Sequence, residues 1–519
     1  MGRINISRQF RRLTLLGPGV RSNQGANLFF AILMLSVVTA CSAVEKASDV
    51  ILPKTPPSVL FSAIVADEPT AVLAARDVLA RGGTAADAAV GLYFTLAITY
   101  PSQAGLGGAG ICMVYEPQSG RADVLDFSPA RAGSGRDAVA IPTIVRGMAW
   151  LHARFGRLSW SSLLGQSASS AREGVTTSRA LITDLKSAAP DLANDATALS
   201  LFFDRLGEPI GEGIIFQQIE LGAVLGHIGA RGGGVFYRGA LAKRIVSAAA
   251  AQGQPIDARL LSKKKPKWLR AQAFKLKDRT IYFPPTGGGK AAANLWMQLS
   301  KDASFKKLDG PARTSRLATA AKSSQSNFTS TSAKVGSGFT VVDGTGLAVV
   351  CSVTASRKFG TGKFLPGLGF ALAPAPGEGE FDRQPMTPIL AVDRNEKKII
   401  FAASGNGGPG AASATVGIAA RTLLAGERLA EASDRPRILF TGDNTPYLAE
   451  KAVSKKELGA LVKENAKVER VPSIGRINAI YCPAGLPPDS RSDPPCQVKA
   501  DKRGNGVGAR FKKDLRERR

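Results

Sequence analysis

The chain has 519 residues, 44% of them hydrophobic and 21% charged, so it can bury a large core and is not disordered as a whole. Its formal net charge of +27 at pH 7 raises the question of a polyanion partner. The basic residues are spread along the chain except for Lys263–Lys267 with Arg270 and a tail from Lys499 to Arg519; neither cluster is interleaved with aromatics or accompanies a nucleic-acid-binding signature, so no nucleic-acid partner is expected.

At the N-terminus, Arg3, Arg8, Arg11, Arg12 and Arg21 precede an apolar run from Leu28 to Val38. That run is too short to span a bilayer comfortably and reads as the apolar region of a signal peptide over residues 1–40. It ends in Val38-Thr-Ala-Cys41, which resembles a bacterial lipobox and makes Cys41 the candidate lipidation site, with a spacer over 41–58. An ordinary signal peptide with an incidental cysteine is the alternative. Both readings put the mature protein outside the cytosol, and the first puts it in the periplasm on a lipid anchor.

Beyond the spacer, FSAIVADEPTAVLAARDVLARGGTAADAAVGLYFTLAITYP predicts a short strand followed by two small-residue helices. Val72, Ala75 and Leu79 recur at helical spacing, and Gly82-Gly83 supplies the C-terminal cap. A Gly-rich turn, Gly105 to Gly110, leads into a strand pair through ICMVYEP and ADVLDF, and residues 143–300 read as mainly helical. From Asp309-Gly-Pro311 to Lys334 the chain is rich in Ser, Thr and Ala with almost no periodicity, which predicts a mobile surface segment over 309–335. From Gly338 onward GFTVVD, LAVVCSVT and KKIIFAAS read as strands, followed by a helix from about Ala411 to Leu424. Strand runs flanked by helix runs predict layered α/β/β/α packing.

Outside the cytosol a disulfide is permitted. Cys482 and Cys496 bracket the Pro-rich CPAGLPPDSRSDPPC and are expected to pair, whereas Cys112 and Cys351 lie inside apolar strand patterns and read as buried thiols. There is no CxxC or HExxH, and His152 and His227 show no ligand spacing, so no metal, cofactor or Ser-His-Asp triad is expected. PPTGGGKAAAN is not a phosphate-binding loop: Pro284 stands where the first glycine belongs, and Ala291 follows Lys290 where a hydroxyl is required.

RGGTAADAAVG, YPSQAGLGGAGICMVYE, the tract from Ile141 to Leu181, YFPPTGGGKAAANLWMQL, FGTGKFLPGLG and RPRI together resemble gamma-glutamyltransferases, in the same order and at similar spacing. The resemblance implies an α+β fold, the four-layer αββα sandwich of N-terminal-nucleophile hydrolases. It also implies a precursor that cuts itself into a large-subunit-like region, 59–336, and a small-subunit-like region, 337–519, which stay associated and act on gamma-glutamyl or related small amides. Such chemistry needs neither histidine nor metal, because a freed α-amino group with a pKa of roughly 7.7–8.0 can take the proton of the nucleophile's hydroxyl.

SGFTVVDGTG occupies the place of the family's Thr-Thr-His-(Tyr/Phe)-Ser-Val-Val-Asp processing junction. Aligned without gaps, Phe339 takes the aromatic position, Gly338 the histidine, Ser337 the second threonine and Gly336 the nucleophilic threonine itself. Ser337 is then the hydroxyl at the junction, and cutting between Gly336 and Ser337 would make it the new N-terminus. The alternatives are that cutting no longer occurs, or that Thr331 or Ser332 is used.

The family's substrate-carboxylate arginine falls on Ser128, with Arg131 nearby as the compensating candidate for the bidentate contact. Thr354 matches a family threonine, and Ser356 takes the place of an asparagine in the substrate site. The family's paired serines fall on Gln384-Pro385 and its amino-group ligands within Ala373–Gly377, so the glutamyl pocket looks rebuilt. Gly405-Asn-Gly-Gly-Pro409 resembles the oxyanion turn; Gly407 and Gly408 can present N–H groups there and Pro409 cannot. Three function classes follow: first a self-processed amide hydrolase or acyltransferase, then a catalytically inactive scaffold or ligand-binding envelope lipoprotein, and behind both a polyanion-binding envelope protein driven by the basic tail.

Overall fold

The computed structural model describes residues 59–514, apart from 134, 136–137, 287, 324–334, 378–385, 409, 443–444, 464 and 489–495. The signal peptide, Cys41, the spacer, Thr331, Ser332, Gln384-Pro385 and Pro409 lie outside the described residues.

Two antiparallel sheets form the centre. The first has seven strands in the order Val507–Asp514, Val59–Ala66, Val335–Val342, Ala348–Ser356, Ala109–Glu116, Arg121–Phe127 and Lys267–Arg270. The second has six: Gln497–Lys499, Arg476–Leu486, Ile399–Asn406, Ile389–Asp393, Arg279–Phe283 and Gln272–Leu276. Side-chain alternation with period two decides which face each residue serves. Ala63, Val65, Ile111, Met113, Val350, Leu390, Ala402 and Ile480 pack between the sheets. Ile64, Val114, Phe339, Val341 and Val349 instead turn toward helices on the outer face of the first sheet. Ile281, Phe401 and Ala403 meet Trp296, Val416 and Ala420 on the outer face of the second. The expected αββα layering is the one observed.

The helices begin where the sequence supplies caps. Glu68 accepts from the Ala71 N–H at 2.8 Å with Pro69 opening the helix Pro69–Ala80, and Gly82 takes φ +92° just past its end. Thr84 and Asp87 form a reciprocal capping box on Ala85–Thr99, every residue of which is buried. Small side chains let that helix lie under the first sheet, where Asp343, at the far end of the junction strand, accepts from the Ala85 N–H at 2.8 Å.

The expectations fail in two places and are incomplete in a third, the mainly helical tract 143–300. Gly310–Ser323 is a helix, so its part of the 309–335 segment is ordered structure; its buried face is Thr314, Ser315, Ala318, Ala320 and Ala321, too small and polar to show as hydrophobic periodicity. The polar members are satisfied from outside the helix, Thr314 Oγ1 accepting from Arg421 Nη2 at 2.7 Å. Lys267–Arg270, Gln272–Leu276 and Arg279–Phe283 are strands within the tract expected to be mainly helical. Finally, Cys112 and Cys351 are not thiols but a disulfide, since they sit directly opposite one another on neighbouring antiparallel strands with Cα atoms 4.1 Å apart. Their separation of 239 residues hid the pairing from sequence inspection. Cys482 and Cys496 pair as expected.

A buried ion cluster fixes the start of the strand Arg476–Leu486. Asp501 Oδ2 accepts from Arg437 Nη2 at 2.6 Å and from the Ile477 N–H at 3.0 Å, its Oδ1 accepts from Arg503 Nη1 at 3.0 Å, and Arg503 also grips Glu450. Burial alone would raise the Asp501 carboxyl, but Arg437 and Arg503 outweigh it and hold it below its ordinary value. A depressed carboxylate adds stability above its unfolded pKa of about 3.9 and loses it as pH falls through the lower folded value. Asp501→Asn is therefore expected to cost about 3–5 kcal/mol at neutral pH, because buried Arg437 loses its paired carboxylate and Arg503 is left with Glu450 alone. Urea unfolding should show that deficit at pH 7, and it should narrow at acid pH.

Candidate active site

The residues around Ser337 come from elements far apart in sequence. Ser337 lies on Val335–Val342 with no exposure, and its hydroxyl donates to Asp67 Oδ2 at 3.1 Å. Asp67 stands where the chain leaves the strand Val59–Ala66 for the helix Pro69–Ala80. The same oxygen accepts from the Gly338 N–H at 3.3 Å and from Asn406 Nδ2 at 2.8 Å, while Oδ1 accepts from Asn478 Nδ2 at 2.8 Å. A buried carboxylate is costly unless its lone pairs are used, and here each oxygen is held by neutral donors.

The main chain of Gly336 is gripped from the other side. Its N–H donates to Gln103 Oε1 at 2.8 Å and its carbonyl oxygen accepts from Arg476 Nη2 at 3.0 Å. Arg476 also donates to Gln103 Oε1, Asn406 Oδ1 and the Tyr100 hydroxyl, each at 3.0–3.1 Å. Burial works to lower the Arg476 pKa, but Tyr100 and Asp67 outweigh it and raise the value, so the guanidinium is a fixed positive charge. Gln103 continues the network to Asp184, which pairs with Lys358 at 2.9 Å.

Positions 336 and 338 have no room for a side chain. The register shifts between Val335 and Ser337, leaving Gly336 in a bulge where a Cβ would overlap the Val353 carbonyl oxygen. A Cβ at Gly338 would overlap Ser404 Oγ and press on Asn406. A threonine at 336 or a histidine at 338, the residues expected there from the resemblance, would not fit this packing, and Ser337 is the hydroxyl between the two glycines.

The other expected residues fall around this centre. Thr354 lies across the sheet from the junction, donating from Oγ1 to the Val335 carbonyl at 2.6 Å and accepting from the Ser356 N–H at 2.8 Å. Ser356 is buried with φ +66° and pairs with Val335. Gly407 and Gly408 follow the strand Ile399–Asn406 with φ +87° and +95°, and Gly407 packs beside Arg476. Arg131 is exposed and donates to the carbonyls of Pro376 and Gly135 at 3.0 and 2.6 Å. Its strand pairs with Val139–Ile141, which meets Pro374, so Arg131 is brought to the 373–377 segment although no contact links it to Ser337.

Asp67, Gln103, Asn406, Arg476 and Asn478 were not picked out from the sequence. Asp67 alone left a signal, an acidic residue directly after an apolar strand run. Among the described residues no group of His, Cys, Asp and Glu is arranged to hold a metal, and no helix is long and apolar enough to cross a membrane.

Two face-to-face antiparallel sheets covered by helices on both outer faces are the αββα sandwich of N-terminal-nucleophile hydrolase folds. The solved cephalosporin acylase from Bacillus halodurans has this fold, with a TM-score of 0.73 over 88% of this chain and 98% of that one, at 18% identity. Residues 71–329 match the gamma-glutamyltranspeptidase family model, and the chain belongs to that family as a divergent member. It is similar to glutathione hydrolase 7 of Mus musculus, 30% identical over 190 residues, which are 34% of this chain and 28% of that protein. It is also similar to the glutathione hydrolase proenzyme of Pseudomonas aeruginosa, 28% identical over 270 residues, 47% of each chain. The chain thus aligns with no more than about half the length of these relatives, and the family match stops short of Ser337.

Gly336→Ala is expected to lower stability by about 1–3 kcal/mol through overpacking against Val353. Gly336→Thr, which restores the family's residue, should yield no fragment beginning at position 336. Thermal melting and fragment mass check the two statements.

Proposed function

We propose that the protein is a gamma-glutamyltransferase-like amide hydrolase or acyltransferase that cuts itself between Gly336 and Ser337 and uses Ser337 as its nucleophile. The carrying observation is the Ser337 hydroxyl, bonded to a buried carboxylate and directly following a carbonyl held by a guanidinium. Full burial of Ser337 fits an uncut precursor, since an external amide reaches the hydroxyl only after the preceding peptide withdraws. The freed α-amino group then serves as base, with an ordinary pKa near 7.7–8.0, and the Gly407 and Gly408 amides face the developing oxyanion.

The substrate is a small amide of gamma-glutamyl or related type, in keeping with the glutathione hydrolases the chain resembles. Arg131, beside the 373–377 segment, takes the substrate carboxylate, with Ser356 and Thr354 lining the nucleophile's side of the site. A catalytically silent scaffold is the second reading, favoured by Gly336 standing where the family's nucleophile belongs.

Two disulfides support a location outside the cytosol, which with the Cys41 lipobox reads as periplasmic and lipid-anchored. Cys41→Ser should move the protein from the membrane to the soluble fraction, and unchanged membrane association would contradict the anchor.

Because Cys112 precedes the cut and Cys351 follows it, the disulfide ties the two fragments together. Purified protein should run as one full-length band without reductant and as two bands after reduction, and Ser337→Ala should remain one band in both. A wild-type chain that stays single after reduction would favour the scaffold.

A further inference from the structure

The base of the finished enzyme is an amine that exists only after the cut, so the precursor needs another group to accept the Ser337 proton. Neither histidine supplies it: His152 is held by the Leu158 carbonyl and Asp87, and His227 is exposed on the helix Ile219–Arg231. We propose that Asp67 and Arg476 are the catalytic pair of the self-cutting step, Asp67 as the proton acceptor and Arg476 as the electrophilic support of the Gly336 carbonyl. The proposal rests on the Gly336–Ser337 junction reading given above.

The geometry is already in place on both sides of the bond. Asp67 Oδ2 is 3.1 Å from Ser337 Oγ, and Arg476 Nη2 is 3.0 Å from the Gly336 carbonyl oxygen. Neither group is free to drift. Asn406 and Asn478 hold the carboxylate, Gln103 and Tyr100 hold the guanidinium, and Asn406 touches both through its amide nitrogen and oxygen. Preorganised charge aimed at the place where charge develops needs no rearrangement at the moment of reaction.

The Ser337 Oγ proton passes to Asp67 while Oγ bonds to the Gly336 carbonyl carbon, and the negative charge gathers on the oxygen facing Arg476. The tetrahedral centre collapses with loss of the Ser337 nitrogen, which takes the proton back from Asp67, leaving a Gly336 ester on Ser337 Oγ. Water then adds to the ester, releasing the Gly336 carboxylate and restoring the Ser337 hydroxyl beside its new α-amino group.

Self-cutting of the full chain, followed on reducing gels over time alongside thermal melting, tests the pair. Asp67→Asn and Arg476→Met should melt cooperatively yet cut at least about 100-fold more slowly than wild type. Asp67→Glu and Arg476→Lys, which keep the charge, should recover part of the rate, a rescue that a merely structural role would not give. If a severe variant does not fold, its charge-keeping partner decides by whether it cuts faster than Ser337→Ala. Folded Asp67→Asn and Arg476→Met that cut at the wild-type rate would overturn the pair while leaving the junction intact. A folded wild-type chain that never cuts would overturn the junction reading and the pair with it.

Discussion

The Asp67 carboxylate is the constraint around which the site is built. It lies at the end of one strand of the first sheet and collects donors from the junction strand and from two strands of the second, through Ser337, Gly338, Asn406 and Asn478. Removing a charged acceptor from such a position leaves several buried donors unpaired at once, so the carboxylate specifies how the sheets meet as well as what sits between them. Glycine at 338 is a consequence of that close meeting, since a side chain there would strike Ser404 and Asn406 of the second sheet, whereas glycine at 336 answers to Val353 on the neighbouring strand of its own sheet.

A second set of charges holds the opposite wall. Asp501 takes the Ile477 N–H while pairing with Arg437 and Arg503, and this sets the neighbouring Arg476 against Gly336, Gln103 and Asn406. Arg437, Arg476 and Arg503 all point inward, the first and last onto Asp501 and the second onto the Gly336 carbonyl. The Cys112–Cys351 disulfide adds a covalent tie between the regions on either side of the junction, so a cut chain keeps both walls of the site in one molecule.

The layered fold was legible because its signals are local. Val72, Ala75 and Leu79 with Gly82-Gly83 mark a helix and its end within a few residues, and the apolar runs at 111–115, 339–342 and 348–353 read directly as strands. The expected junction was placed through its neighbours, Phe339 and the Val-Val-Asp that follows, and rests on that resemblance. What escaped depends on distance along the chain: 270 residues separate Asp67 from Ser337, 140 separate Gly336 from Arg476, and 239 separate the paired cysteines. The helix Gly310–Ser323 escaped for a different reason, burying alanine, threonine and serine in place of large apolar residues.

The central claim is that the hydroxyl of Ser337, one position beyond the family's usual nucleophile, has become the reactive N-terminus. Edman sequencing of the smaller fragment of the purified, reduced protein tests it most directly. The account predicts a sequence opening Ser-Gly-Phe-Thr-Val-Val; a fragment opening at any other residue would place the cut elsewhere and contradict it.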